Sequence, residues 1–296
     1  MNQINWSQVA NQITESAGER FIVKSASQVG GGCINQAWKI KDDKNIWFIK
    51  VNDISRQPMF AAEMSCLKAI ANTKTIKVPA ALCVGKTSHH SYLVLEYLKL
   101  DAHSLDGSEA LGEQLAGLHR HTSDQFGWQN DNNIGTTKQI NTATSDWIKF
   151  WREHRLGFQL KLAADNGYKG RLQRQGEQLL QRLDQIMLNH SPPASLLHGD
   201  LWSGNYAITS SGQPAIFDPA SYYGDRETDL AMTELFGGFS SRFYQAYEAT
   251  WPLPEGYQHR TGLYNLYHIL NHLNLFGGSY LGQAESMLDA LIVNTV

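Results

Sequence analysis

His198-Gly199-Asp200-Leu201-Trp202-Ser203-Gly204-Asn205, followed by Ile216-Phe217-Asp218-Pro219, is the stretch whose residue types and spacing decide how the chain reads. Phosphoryl transfer to a hydroxyl needs a carboxylate to accept the hydroxyl proton. It also needs an amide and a second carboxylate to hold a metal on the nucleotide phosphates. Asp200 is the expected proton acceptor, and Asn205 and Asp218 are the expected metal ligands.

The flanking residues fit that chemistry. Ser195-Leu196-Leu197 reads as a short buried strand entering the loop. Tyr206–Thr209 and Pro214–Phe217 read as two strands joined across Ser210-Ser211-Gly212-Gln213. A hairpin there returns the chain to its start, so Asp218 is expected near Asn205 and Asp200. His-x-Asp-Leu-x-x-x-Asn with an aspartate one hairpin later is the spacing of a kinase catalytic loop. A lone His-x-Asp would be read as a turn; the ordered set reads as a small-molecule kinase.

Composition bounds the alternatives. At 296 residues the chain is long enough for one large domain or two lobes. Its formal charge of −3 gives no electrostatic footprint for nucleic acid or a membrane surface, and no basic stripe with interleaved aromatics occurs. No secretory signal precedes Ser16, and the longest C-terminal apolar stretch, 263–275, is interrupted by His268, Asn271, His272 and Asn274. Cys33, Cys66 and Cys83 contain no Cys-x-x-Cys pair, which argues against a disulfide framework or zinc site. The expected location is cytoplasmic.

Along the chain, residues 4–17 are expected to be helical, with Ile4, Val9 and Ile13 on one face. Phe21–Lys24, Ala37–Ile40, Ile46–Val51 and Tyr92–Leu98 read as strands, with one helix over Met59–Ala71 between them. Beyond Lys99 helical periodicity dominates: Glu109–His121, the Trp147/Phe150/Trp151/Phe158 set, the Leu172/Leu179/Leu183/Ile186 set, Thr228–Tyr247, 257–275 and 280–293. The fold expected is α+β and bilobal: residues 1–98 form a small antiparallel-sheet lobe with one helix that binds nucleotide. Residues 99–296 form a larger, mainly helical lobe for catalysis and substrate.

The small lobe offers nucleotide-binding candidates. Gly30, Gly31 and Gly32 lie between two expected strands, where bare backbone can meet phosphates, although no Walker or Gly-x-Gly-x-x-Gly pattern is present. Lys50 sits inside the apolar strand Ile46–Val51, where an ammonium is costly without a partner. Phosphates and Glu63 on the next helix are the expected partners. Glu96, Tyr97 and Leu98 are assigned to the adenine-binding hinge by position alone. Asp225 and Asp229 invite a catalytic reading, but helix capping by Asp225 or Thr228 and bracing of the catalytic loop by Asp229 are favoured.

Together these segments resemble the fructosamine kinase (ketosamine kinase) family, a branch of the aminoglycoside phosphotransferase and protein kinase-like superfamily. The resemblance rests on Gly30-Gly31-Gly32-Cys33-Ile34-Asn35, Phe48-Ile49-Lys50, Leu197 through Asn205, Asp218-Pro219-Ala220 and Tyr223 through Met232, and spans nearly the whole chain. Asp-Leu-Trp-Ser-Gly-Asn discriminates best, because aminoglycoside kinases usually lack the tryptophan. The resemblance implies a protein kinase-like fold, ATP with Mg2+, and phosphorylation of a small-molecule or protein-bound ketosamine at the sugar O3 hydroxyl. Loss of that phosphate then frees the amine. It implies proton acceptance by Asp200, metal binding by Asn205 and Asp218, phosphate binding by Lys50 and orientation of Lys50 by Glu63.

Trp202 is expected either to wall the sugar pocket by stacking or to pack in the core. His272 is a further substrate candidate. Cys33 would be acidified beside a phosphate-binding backbone, giving a monomer or a disulfide-sensitive dimer, or it is a small apolar filler. The alternatives are a kinase of another hydroxylated amine, of aminoglycoside, choline or homoserine type, or a non-catalytic kinase-like binding module. The intact set Lys50, Asp200, Asn205 and Asp218 speaks against the last.

Overall fold

A computed structural model describes residues 4–30, 34–101 and 107–293. They form two compact units, the first from residues 1–107 with 206–219 and the second from 108–205 with 220–296. Gly31, Gly32 and Cys33 lie outside the described residues.

The first unit is built on a five-stranded antiparallel sheet of β1 (Ser25–Val29), β2 (Gln36–Lys41), β3 (Ile46–Asp53), β4 (Ala81–Lys86) and β5 (His90–Glu96), in the order β1-β2-β3-β5-β4. Helix α1 (Trp6–Ala17) starts at an Asn5 cap and ends at Gly18 in the left-handed region. Its Val9, Ala10 and Ile13 pack with Ile40, Ile49, Val51, Cys83, Tyr92 and Val94. Ile49 and Val51 alternate with Lys50, so the pleat that buries the two aliphatics turns Lys50 to the other face. There it meets helix α2 (Gln57–Thr73), which buries Phe60, Cys66, Leu67 and Ile70.

The expected strand Phe21–Lys24 is not formed, and β1 begins at Ser25 instead. The Phe21 N–H donates to Thr14 Oγ1 of α1 at 3.0 Å and its ring is buried beneath that helix, so α1 holds the start of this segment, while the Lys24 N–H at its end donates to the Lys41 carbonyl of β2 at 2.9 Å. Tyr97 and Leu98 fall past the end of β5. The strand β4, unread in the sequence, pairs with β5 through a bulge between Ala81 and Cys83.

Two-residue strand β6 (Leu100–Asp101) precedes helix α3 (Ser108–His119) and strands β7 (Thr122–Ser123), β8 (Asn132–Ile134) and β9 (Thr137–Gln139). Helix α4 (Trp147–Phe150) runs through a π-helical stretch, Trp151–Leu156, into α5 (Gly157–Asp165), and α6 (Arg171–Ile186) follows. Next come β10 (Ala194–Leu196), the hairpin strands β11 (Tyr206–Thr209) and β12 (Pro214–Ile216), and β13 (Tyr223–Gly224). The chain then continues through α7 (Glu227–Leu235), α8 (Ser241–Thr250), α9 (Tyr257–Phe276) and α10 (Leu281–Val293).

The β11–β12 hairpin groups with the first unit, whereas the expected lobe boundary at 98/99 leaves it with the second. Its hydrogen bonds explain the grouping: β11 pairs with β6, and Ile216 N–H donates to the Lys77 carbonyl at 2.9 Å. In the second unit α9 is buried along most of its length, from Arg260 to Leu273. It shares a core with Trp147, Phe150 and Trp151, with Leu172, Leu179 and Leu183 of α6, and with Leu288 of α10. Helices α3 and α8 approach so closely that a Cβ at Gly112 would lie 2.3 Å from the Phe243 carbonyl oxygen. The single helical region expected over Thr228–Tyr247 is two helices, because Gly237 and Gly238 both take positive φ and end α7.

Candidate active site

In the first unit Lys50 is the centre of a buried ion cluster. Its Nζ lies 2.5 Å from Glu63 Oε1 and also bonds Asp218 Oδ1. The lysine is 6% exposed, so its ammonium has exchanged water for two carboxylates. Burial alone would lower the Lys50 pKa, but the charges of Asp218 and Glu63 outweigh it and hold the group above its ordinary value. Burial pushes the Glu63 carboxyl up, against the pull of Lys50.

Asp218 follows β12 with φ of +60°, in the left-handed region that a non-glycine residue occupies only when its surroundings fix it. Its carboxylate remains 46% accessible. Lys50, Glu63 and Asp218, chosen from separate parts of the sequence, therefore meet at one point.

The side chains of the expected hinge residues make their own contacts, apart from the backbone groups on which the hinge assignment rests. Glu96 accepts two hydrogen bonds from Lys77 Nζ, at 2.8 and 2.7 Å, and one from the Ala80 N–H at 3.0 Å. Its side chain ties β5 to the segment before β4. Lys39 Nζ stands 4.4 Å from the Tyr97 ring centroid, and Leu98 is half-buried. Gly30 is exposed, and a Cβ there would meet nothing within 4 Å.

In the second unit β10 leads into the catalytic-loop motif. Gly199 has φ of +86°, and a Cβ on it would stand 2.2 Å from the Ala220 carbonyl oxygen. Only glycine lets the loop pass so near the segment after Asp218, where the Ala220 N–H donates to the His198 carbonyl at 2.9 Å. The buried Asp229 carboxylate accepts from the His198 N–H at 2.7 Å and the Gly199 N–H at 2.8 Å. Burial works to raise its pKa, but bonds from His119 and the loop, with the nearby imidazoles, hold it below the usual value. Asp229 thus braces the two peptides ahead of Asp200.

Asn205 Nδ2 donates to the Asp200 carbonyl at 2.8 Å and reaches Asp200 Oδ2 at 3.4 Å. Its amide nitrogen is engaged, and the carbonyl oxygen Oδ1 is the atom with which it can meet a cation. Asn205 and Asp218 both offer hard oxygen donors, the type Mg2+ takes.

Trp202 is 39% exposed, so it does not pack in the core. Its indole lies over its own turn, where a Cβ at Gly204 would be 2.3 Å from the ring. His272 Nδ1 donates to the His268 carbonyl at 2.8 Å, and the ring is surrounded by Phe236, Phe276 and Tyr280. Burial lowers its pKa.

Asp225 is structural. It accepts from Tyr264 OH at 2.5 Å and from the Glu227 N–H at 3.1 Å, and it contacts His190 Nε2 at 2.5 Å. Neighbouring Glu227 is held by Arg260 Nε and Nη2, at 2.8 and 2.7 Å. These partners already satisfy the carboxylates. Sequence reasoning missed Lys77, His119, Tyr247 and Arg260, whose partners lie at sequence separations that no local pattern reports.

The antiparallel sheet with its Lys50–Glu63 pair, the catalytic-loop motif braced from α7, and the helical second unit define a phosphotransferase of the protein kinase-like fold, acting on a hydroxyl acceptor. The family model for fructosamine kinases matches residues 5–294, and the chain belongs to that family.

A "Probable ketoamine kinase" of Synechocystis is 47% identical over 289 residues, covering 96% of this chain and 95% of that protein. The chloroplastic protein-ribulosamine 3-kinase of Arabidopsis thaliana is 42% identical over 276 residues, covering 92% and 84%. The crystal structure of a candidate fructosamine-3-kinase from Haemophilus somnus superposes with a TM-score of 0.89 at 30% identity, covering 97% of each chain. An aminoglycoside phosphotransferase solved with ADP and hygromycin B shares the fold alone, with a TM-score of 0.63 at 18% identity over 97% of this chain and 98% of that one.

Proposed function

We propose that this chain uses ATP and Mg2+ to phosphorylate the sugar O3 hydroxyl of ketosamines, the fructosamine- and ribulosamine-type Amadori adducts, and so starts their removal from amines. The observation that carries the reading is the convergence of Lys50, Glu63 and Asp218 in a family whose relatives are named for ketoamine and ribulosamine phosphorylation. A buried ammonium between two carboxylates is poised to exchange one of them for phosphate oxygens.

In the reaction Asp200 takes the O3 proton as that oxygen bonds to the terminal phosphorus and the bond to the ADP oxygen breaks. Asp229 fixes the loop peptides, and Asn205 fixes Asp200 through its backbone carbonyl. Lys50 holds the phosphates and Glu63 holds Lys50. Asn205 and Asp218 would hold Mg2+, which would neutralise phosphate charge. The half-exposed Trp202 offers an apolar face to a sugar ring, and His272 is the second substrate candidate. Phosphate on the carbon next to the ketosamine carbonyl is a good leaving group after enolisation; its loss leaves an imine at carbon 1, which water hydrolyses to the free amine and a dicarbonyl sugar.

ADP release with Mg-ATP tests this across fructosyl- and ribulosyl-amines, an aminoglycoside, choline and homoserine. Turnover of a ketosamine that vanishes in Asp200→Asn is the expected result. Turnover confined to another alcohol would replace the substrate, and absence of turnover on the whole panel would overturn the reading.

A further inference from the structure

We infer that Arg155 is a positioning residue for phosphoryl transfer: through buried side-chain amides it fixes the Ala220 and Ser221 peptides, and with them the backbone of Asp218 just ahead. The inference rests on the assignment of Asp218 as a metal ligand. Arg155 belongs to the π-helical stretch Trp151–Leu156 and is fully buried. Turns of this kind are rare and recur at functional sites. Its guanidinium meets neutral oxygens: Nη1 donates to the carbonyls of Ile140 and His154, at 2.6 and 3.1 Å, and Nη2 donates to Asn141 Oδ1 at 2.8 Å. The cation also lies 4.0 Å from the Tyr222 ring centroid. A buried charge is costly unless its acceptors are set for it, so Arg155 imposes a polarity on what it touches.

Donor and acceptor counting carries that polarity onward. Arg155 only donates, so Asn141 turns Oδ1 toward it and Nδ2 away. That Nδ2 donates to Asn132 Oδ1 at 2.9 Å, which leaves Asn132 Nδ2 to donate to the Ser221 carbonyl at 2.8 Å. Gln139 Nε2 donates to the same Asn132 oxygen at 2.8 Å and to the Ala220 carbonyl at 3.0 Å. Its Oε1 accepts from the Tyr267 hydroxyl at 2.7 Å. Asn132, Gln139 and Asn141 are each 5% exposed or less, so solvent offers them no alternative partner.

The consequence lies at the far end. Residues 220–222 are paired on one side, where the Ala220 N–H donates to the His198 carbonyl at 2.9 Å and the Tyr222 carbonyl accepts from the Leu197 N–H at 3.1 Å. On the other side the amides of Asn132 in β8 and Gln139 in β9 stand in for a neighbouring strand. Asp218 is two residues before Ala220, and its φ of +60° is kept only while its surroundings fix it. With Arg155 gone, the Asn141 and Asn132 amides are free to turn over, the Ser221 bond is lost, and the backbone of Asp218 loosens. A purely space-filling role would be met equally well by a methionine.

The experiment compares Arg155→Met and Gln139→Met with wild type. Methionine keeps most of the volume of either side chain and removes its donors. Three quantities are read: affinity for Mn2+ in the presence of ADP, by electron paramagnetic resonance; amide hydrogen exchange of the peptide covering 217–224; and steady-state kinetics over a range of Mg2+ concentrations.

In Arg155→Met the expected loss of Mn2+ affinity is about tenfold or more, as for removal of a group that orients a metal ligand, and half-saturating Mg2+ rises alike. KM for the sugar amine stays within about twofold, because the network reaches the metal ligand and not the acceptor. The amides of 220–224 exchange roughly tenfold faster while those of α6 are unchanged. Gln139→Met, which loses one of the two carbonyl bonds, falls between.

Wild-type Mn2+ affinity or wild-type exchange in Arg155→Met would overturn the inference, even in a variant that melts lower. If Arg155→Met fails to fold, the same readouts on Gln139→Met decide, and wild-type values there would overturn it. Should wild type bind no Mn2+ with ADP, the metal assignment fails and this inference with it. Should it bind Mn2+ yet phosphorylate no ketosamine, the proposed function fails while the binding and exchange comparisons still decide the role of Arg155.

Discussion

Replacing Lys50 with Met separates what the buried ion cluster does for stability from what it does for chemistry. Lys50 and Glu63 have side-chain exposures of 7% and 12%, so removing the ammonium strands a carboxylate that burial already pushes toward protonation. Breaking a buried pair from one side costs about 3–5 kcal/mol. Asp218 is 46% exposed, and water compensates its half of the loss. The melting temperature of Lys50→Met should therefore fall by roughly 5–15 °C.

In Lys50→Met/Glu63→Leu no charge is stranded, and apolar replacements of similar volume are about neutral in a buried site. The double variant should recover most of the lost stability while both variants remain inactive in ADP release. Calorimetry with the coupled kinetic assay reads both quantities. A double variant no more stable than Lys50→Met would refute the stranded-charge reasoning, and substantial turnover in either variant would refute the role of Lys50 in phosphate binding.

Three further outcomes follow from the geometry. Gly199→Ala puts a Cβ into the Ala220 carbonyl and a left-handed backbone on alanine, so kcat should fall at least about 100-fold, as expected for a misplaced catalytic loop; near wild-type turnover would show that the loop relaxes freely.

Burial, with the charges of His272 and Arg155, pushes His268 from 6.5 down to about 3. The unfolded chain therefore binds a proton between those values that the folded chain does not. His268 then costs stability as pH falls below 6.5, by up to about 1.4 kcal/mol per pH unit. Denaturant titrations at pH 7 and pH 5 should show a shallower acid loss in His268→Gln than in wild type, and equal losses would contradict the burial argument.

Trp202→Ala should leave stability within about 0.5 kcal/mol, since the ring is substantially exposed, yet raise KM for the sugar amine. An unchanged KM would remove Trp202 from the substrate site.

The strength of the sequence signal tracked the distance over which each interaction is made. Helix α2, strand β3 and the β11–β12 hairpin follow from periodicity and turn residues within a few positions, and the structure forms them. Lys50 was legible because an ammonium in an apolar strand demands a partner, although Asp218 lies 168 residues away. Phe21–Lys24 has strand composition, but a side-chain hydroxyl of α1 takes its backbone N–H, a tertiary event no local pattern encodes.

The break between α7 and α8 was legible in Gly237-Gly238 and outweighed by the apolar periodicity on either side. Glu96 illustrates the opposite limit. It was assigned to a hinge by position, for its backbone groups; its carboxylate pairs with Lys77 and the Ala80 N–H, and neither residue carries a sequence signal for that pairing.

The most direct measurement is NMR of the product formed from a 13C-labelled fructosyl- or ribulosyl-amine with Mg-ATP, followed over time. The expected spectrum shows phosphorus coupled to carbon 3 of the sugar, then inorganic phosphate and free amine as that product decays, with neither appearing for Asp200→Asn. Phosphorus on another sugar carbon, or a product that keeps both its phosphate and its amine, would contradict ketosamine 3-phosphorylation as the reaction of this chain.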